Sequence, residues 1–273
     1  LIFHIAFSTV ASDGVALVAL TDTTAEVVSA DTFYTGNVVV PATDAAGRRV
    51  TAVGHAAFNA CHALNSVDLP DGITALGDYA FNSCDALATL TLPTSLTTIG
   101  HHAFCRCEAL KTINVPDAVV SVGDYAFFRC RQAVSITLGN SVQHIGQKSF
   151  VSCNQLKTIQ VADDNSHYCD ANGVLLTADR STLIAFPRKH ADWRDYVVPE
   201  QVSHIADYAF YGCDNTRTVA LPTGLTSIGE ASFANCRLLA EIVLPQGLTY
   251  LGVNVFDGCR SLKRVHCRAR EPL

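Results

Sequence analysis

The sequence predicts an α/β solenoid, a parallel β superhelix whose coils alternate strands with short helical turns, preceded by an antiparallel β cap. Three observations predict it. Phe58, Phe81, Phe104, Phe127 and Phe150 stand 23 residues apart. Each is followed three places later by a cysteine: Cys61, Cys84, Cys107, Cys130 and Cys153. The same step returns at Phe210, Phe233 and Phe256, with Cys213, Cys236 and Cys259 in the matching places. A unit repeated with a period of about 20 to 50 residues marks a stacked repeat protein, because one coil cannot bury its apolar side alone.

Within a coil, apolar residues fall three, six and eight places after the cysteine, as in Leu87, Leu90 and Leu92, or Leu239, Ile242 and Leu244. The last two alternate with polar residues, which is the period of a strand with one buried face. Pro70, Pro93, Pro116, Pro222 and Pro245 follow, where a missing backbone donor ends pairing. A small residue two places on (Gly72, Ser95, Ala118, Gly224, Gly247) suits a turn, and apolar pairs such as Ile73 and Leu76 then predict a second short extended piece. Gly54, Gly77, Gly100, Gly123, Gly146, Gly229 and Gly252 close it. Phenylalanine and cysteine three apart share one face of a helical turn, so both are expected to point inward.

The run Leu-x-x-Leu-x-Leu together with Ile-Gly-x-x-Ala-Phe-x-x-Cys, as at Ile99 to Cys107, resembles the BspA-like (treponemal-type) leucine-rich repeats. The resemblance covers about residues 50 to 267. It implies a leucine-rich-repeat solenoid of right-handed hand and a role in adhesion at an extracellular or cell-surface location.

Residues 1–49 lack the repeat and are expected to be an N-terminal β cap. Val15 to Leu20, Ala25 to Val28 and Val38 to Val40 read as antiparallel strands covering the first coil, and Leu1 to Phe7 as a further strand too short to span a membrane. Residues 50–273 are the solenoid. Its one interruption lies between Phe150 and Phe210, where 60 residues replace 23. At about 162–197, Gly173-Val-Leu-Leu-Thr and Thr182-Leu-Ile-Ala-Phe-Pro187 flank a polar turn and predict a hairpin or enlarged coil. Val265 to Leu273 resembles the exit from a final repeat in this family, where chains usually continue.

A net charge of −6 without a basic cluster argues against nucleic acid, which needs cations gathered on one face. No apolar run is long enough for a transmembrane segment. Eight of the 11 cysteines occupy the repeat slot, the others being Cys105, Cys169 and Cys267. In-register neighbours about 4.8 Å apart would leave Cβ atoms farther apart than the usual ~3.8 Å of a disulfide. Free, buried thiols are therefore expected, with Cys267 in an inward slot.

Two stretches could carry metal chemistry. His101, His102, Cys105 and Cys107 are soft or borderline ligands, yet the repeat turns Cys107 inward, and no second ligand pair is spaced to match. Asp163, Asp164, Asn165, Asp170 and Asn172 offer oxygen, but these residue types also build turns, and their spacing does not fit a calcium loop. No catalytic, metal or cofactor residue is assigned, and the chain is read as no enzyme and as a monomer. The informative surface is the strand face opposite the core. Thr89 and Thr91, Thr112 and Asn114, Ser135 and Thr137, and Thr158 and Gln160 are expected to project there as two short polar columns. Plain β-propensity also favours threonine on an exposed strand. The expectation is a binding module taking a protein or glycan partner on this face. A passive spacer displaying another domain, and a metal-dependent enzyme at His101, His102 and Cys105 or at Asp163 to Asp170, are the alternatives.

Overall fold

The computed structural model describes residues 9–10, 15–29 and 33–268. The expected strand from Leu1 to Phe7 and the end of the exit segment lie outside the described residues. Two compact units are present: Leu1–Ala133 with Ser141–Phe150, and Val134–Asn140 with Val151–Leu273.

In the first unit the longest ladder is built from the second, shorter extended piece of each coil. An eight-stranded sheet runs through Thr9–Val10, Ala16–Ala19, Thr24–Val27, Arg49–Val53, Ala75–Leu76, Thr98–Ile99, Ser121–Val122 and His144–Ile145. Its first three strands are antiparallel and the rest are parallel. Gly36–Val39, Leu64–Asp68 and Thr89–Leu90 make a three-stranded sheet on the other side of the coils. Gly36–Val39, expected to be antiparallel, pairs parallel with Leu64–Asp68: it already belongs to the repeat ladder.

The core between these sheets is a column of phenyl rings. Phe58 stacks on Phe81 with centroids 4.9 Å apart and planes 5° from parallel, and Phe81 on Phe104 at 5.3 Å and 3°. Phe127 continues to Phe150 at 6.2 Å. Phe58, Phe81, Phe104 and Phe127 are buried, while Phe150 is half-buried. The ladder cysteines lie beside them.

No helix occurs among the described residues, which corrects the expectation of helical turns. From Gly77 to Cys84 the chain is a series of tight turns: Ala80 N donates to Gly77 O, Asn82 N to Tyr79 O and Cys84 N to Phe81 O. The donors in between, on Tyr79, Phe81 and Ser83, go instead to His101, Ala103 and Cys105 carbonyls of the next coil at 2.7–2.8 Å. A helix would keep these donors within its own segment. Tyr79 and Ser83 take φ of +59° to aim them outward along the stack. The same pair of left-handed positions recurs at His102 and Arg106, and at Tyr125 and Arg129.

Glycine closes each second strand because the coils touch there. A Cβ on Gly100 would lie 2.6 Å from the carbonyl carbon of Gly77, one on Gly123 2.5 Å from His101 N, and one on Gly146 2.3 Å from Asp124 N. These are backbone atoms, which cannot swing aside. The prolines open the following turn: Pro93 O accepts from Leu96 N at 3.1 Å and Pro116 O from Val119 N at 3.1 Å.

In the second unit, Ser135–Leu138 pairs parallel with Thr158–Val161. Tyr168–Ala171, Val174–Thr177 and Thr182–Ala185 form the antiparallel part of a six-stranded sheet continued in parallel by His204–Ile205, Ser227–Ile228 and Tyr250–Leu251. The predicted hairpin is thus present as three strands. It seals the edge of Thr158–Val161, since Ile159 N donates to Gly173 O and Val161 N to Asp170 Oδ1. Phe186 takes the phenyl slot of the enlarged coil and stacks on Phe210 at 4.8 Å, followed by Phe233 at 4.8 Å and the half-buried Phe256 at 6.0 Å. Two-stranded parallel sheets pair Asp195–Val197 with Thr218–Ala220, and Glu241–Leu244 with Arg264–Cys267.

Two substitutions test this core. Phe127→Ala should cost about 3–5 kcal/mol in urea unfolding, and a loss near zero would show that the ring column is not the core. Gly123→Ala should cost about 1–3 kcal/mol as overpacking, whereas Gly224→Ala, with open space around the added Cβ, should stay near wild type.

Candidate strand-face binding surface

The strand face is not one uninterrupted ladder. In the first unit Thr89 stands in register with Ser66, which stands in register with Asn37, and Ser66 Oγ donates to Asn37 Oδ1 at 2.9 Å. That sheet ends with Leu90, so Thr91 is already beyond the strand. A void of about 10 Å³ lined by Leu90, Leu92, Leu110, Thr112 and Asn114 marks the gap, and it is barely the size of one water. Thr89, Thr91, Thr112 and Asn114 are all exposed.

In the second unit Ser135 and Thr137 are in register with Thr158 and Gln160. Gln160 is exposed and the other three are half-buried. Thr158 lies under the hairpin turn, for a Cβ on Gly173 would come within 2.3 Å of its Oγ1. The insert has taken Thr158 out of the expected contact column. It adds something the repeat count did not reveal: Asp195–Val197 extends the strand face, with Val197 69% exposed. Beside it Lys189 Nζ and Arg194 Cζ lie 5.5 Å and 5.2 Å from the centre of the Trp193 ring, within cation–π range.

The metal-like stretches are committed elsewhere. His102 stacks between Tyr79 and Tyr125, 4.7 Å from each and 6° from parallel. Burial there, and then the neighbouring His101, lowers its pKa below the usual histidine value. His101 Nδ1 accepts the Asp124 backbone N–H at 3.0 Å. Cys105 and Cys107 are buried. Asp170 bonds Val161 and Gly173 backbone N–H groups, and Asn165 Oδ1 accepts from His167 and Tyr168 N. Asp170, within the strand Tyr168–Ala171, ties the hairpin to Thr158–Val161, and Asn165 holds the turn before that strand. Among the described residues no group of three or more His, Cys, Asp or Glu is placed to hold a metal ion.

The ladder thiols have a role beyond filling space. Cys84 Sγ donates to Phe58 O at 3.0 Å, Cys107 Sγ to Phe81 O at 3.1 Å and Cys130 Sγ to Phe104 O at 3.3 Å. In the second unit Cys236 Sγ reaches Phe210 O at 3.2 Å and Cys259 Sγ reaches Phe233 O at 3.1 Å. Each links one coil to the previous one through a carbonyl that already accepts within its own turn. The cysteines are free thiols. Burial pushes Cys61 up to about 11 and Cys213 up to about 12, and holds Cys107 well above the ordinary thiol value. Cys267, expected in an inward slot, is exposed, because no described coil packs over the strand Arg264–Cys267.

Residues 48–170 and 186–270 match the model of the BspA type leucine rich repeat region, in six copies. Among solved structures, a leucine-rich repeat protein from Eubacterium ventriosum is 22% identical with a TM-score of 0.76, over 96% of this chain and 72% of that one. The pneumococcal vaccine antigen PcpA is 17% identical with a TM-score of 0.66, over 97% and 88%. A leucine rich cell surface protein from Faecalibacterium prausnitzii is 22% identical with a TM-score of 0.52, over 95% and 88%. A comparison with curated proteins found no match.

A thiol whose folded pKa is raised favours the fold below its unfolded value near 9, and that contribution is lost as pH climbs toward the folded value. The contribution of Cys61, Cys107 and Cys213 should be constant below about pH 8 and fall from there to about pH 12, by up to about 1.4 kcal/mol per pH unit for each of these thiols. Iodoacetamide at pH 8 should label Cys267 and the half-buried Cys259 in the native protein, and the buried ladder cysteines only after unfolding without reductant. Ladder thiols that stay unlabelled after such unfolding would show that they are disulfide-bonded.

Proposed function

From the premise that the chain belongs to the BspA type leucine-rich repeat family, we propose that it is a non-enzymatic binding module of the cell surface or extracellular space. On this reading it attaches to a protein or glycan through the strand face. The observation that carries it is a set of hydroxyl- and amide-bearing side chains on or beside preformed strands: exposed Thr89, Thr91, Thr112 and Asn114 in the first unit, and half-buried Ser135 and Thr137 with exposed Gln160 in the second. Side chains already ordered by a ladder lose little rotamer entropy on contact. Thr158, beneath the hairpin, is the weakest member of the set.

The surface location draws support from the similar proteins, which include a cell surface protein and a vaccine antigen. Among the described residues no helix is long and apolar enough to cross a membrane. Residues 1–49 are read as a cap on repeats that occupy 50–273, with 162–197 as an enlarged coil. The antiparallel strands Ala16–Ala19 and Thr24–Val27, whose buried Leu17, Ala25 and Val27 face the core, favour that division.

The test is binding of the immobilised protein to a panel of extracellular-matrix proteins and glycans. Thr91→Lys with Asn114→Lys addresses the first unit and Thr137→Lys the second, each checked for unchanged thermal unfolding. Loss of about tenfold or more in affinity from either variant is expected for a contact column. A partner that binds both variants as it binds the wild type would place the site off the hydroxyl columns.

A further inference from the structure

Arginines in the second unit stand one above another. Asp195 is in register with Thr218 and Val197 with Ala220, and Arg217 N donates to Arg194 O at 2.7 Å. Arg194 and Arg217 therefore hold the same slot in adjoining coils, and both are exposed. Arg237 and Arg260 form a second pair 23 residues apart in a different slot, directly after the ladder cysteines Cys236 and Cys259, with Ser261 N donating to Arg237 O at 3.2 Å. Like charges opposite one another weaken a ladder. None of the four arginines joins an ion pair among the described residues. In the first unit the slot after the ladder cysteine is answered coil to coil, with His62 paired to Asp85 at 2.8 Å and Arg131 to Glu108 at 3.4 Å. Packing accounts for those pairs and leaves the arginine pairs unexplained.

A second row runs beside the first. Val197 is 69% exposed and Val243 38% exposed, with exposed Ala220 between them. Ala220, Leu221, Val243 and Pro245 help to line an open groove of about 810 Å³. The acidic groups nearby are already engaged or opposed: Asp195 Oδ1 accepts from Thr218 Oγ1 at 2.7 Å, and Glu241 lies in register with Arg264. Trp193, with its ring beside Arg194, limits the freedom of that guanidinium before any partner arrives.

We propose that this face binds an extended segment of a partner protein in which carboxylates alternate with apolar side chains. The assignment rests on the strand-face reading above and moves its centre to the second unit. Arg194 and Arg217 take the carboxylates, for which the planar guanidinium offers two parallel donors. The row Val197, Ala220 and Val243 takes the apolar side chains. That row is what selects a protein over a polyanionic glycan, because only apolar side chains gain from covering it.

Biolayer interferometry with tethered synthetic peptides tests this. Peptides of alternating Glu and Leu, Glu and Ser, and Lys and Leu are compared with heparin at low and moderate salt. The Glu/Leu peptide should bind best, and more weakly as salt rises. Arg194→Glu with Arg217→Glu should weaken it about tenfold or more, and Val197→Ser with Val243→Ser about fivefold or more. Lys111→Glu, a reversal of an exposed charge in the first unit that lies outside both proposed surfaces, should leave it unchanged. Circular dichroism and thermal unfolding establish that each variant is folded. Equal binding of the Lys/Leu peptide, or no binding of Glu/Leu, would overturn the proposal. So would heparin binding that needs the arginines and ignores the valines, which would make the site a glycan site. If the peptides fail while Thr91→Lys with Asn114→Lys still weakens a matrix partner, only the acidic-segment assignment falls and the binding-module reading stands.

Discussion

Successive coils meet where there is no room for a β-carbon, and the rest of each coil follows from that contact. With Gly77, Gly100, Gly123 and Gly146 stacked backbone on backbone, the next turn begins at the same height in every coil. Its donors then find the carbonyls of the following coil at 2.7–3.1 Å. The phenyl rings arrive nearly parallel, and the thiols arrive beneath the carbonyl of the preceding phenylalanine. Ala206 occupies the glycine slot only where the preceding coil differs: two residues separate Leu183 from Phe186, whereas four separate Ile205 from Phe210.

The phenylalanine, cysteine, glycine and proline columns were legible because each repeats at a fixed step, and each holds one structural position. What stayed illegible was how the backbone connects them. Spacing of three between Phe81 and Cys84 fits a helical turn and also fits two linked tight turns. The choice falls on whether the Phe81 and Ser83 donors bond within the coil or to Ala103 and Cys105 of the next. That is a property of the stack, which no single coil contains. Left-handed positions filled by Tyr79, His102 and Arg106 gave no warning, since glycine is the usual marker of positive φ.

The surface divides along similar lines. Thr89, Thr112 and Gln160 could be assigned outward from the alternation of Leu90, Ile113 and Ile159, and they are exposed. Thr158 has the same alternation and is covered, because the hairpin folds Gly173 onto it. The arginine pairs were present in the sequence at a separation of 23. They were not legible as pairs because they occupy two different slots, Arg194 and Arg217 one place before the outward strand residues and Arg237 and Arg260 one place after the ladder cysteines, and because Arg194 lies in the enlarged coil, where the step is lost.

The inter-coil thiol bonds of the first unit, Cys84 to Phe58, Cys107 to Phe81 and Cys130 to Phe104, each span 26 residues. The backbone bonds from Tyr79, Phe81 and Ser83 span 22. Loop-closure entropy grows only with the logarithm of loop length, so each arriving coil of a unit meets nearly the same small toll. Folding can then begin at any well-formed pair of coils and grow outward by accretion. The rate is set by the first pair, and lengthening such an array by whole coils would leave that rate almost untouched.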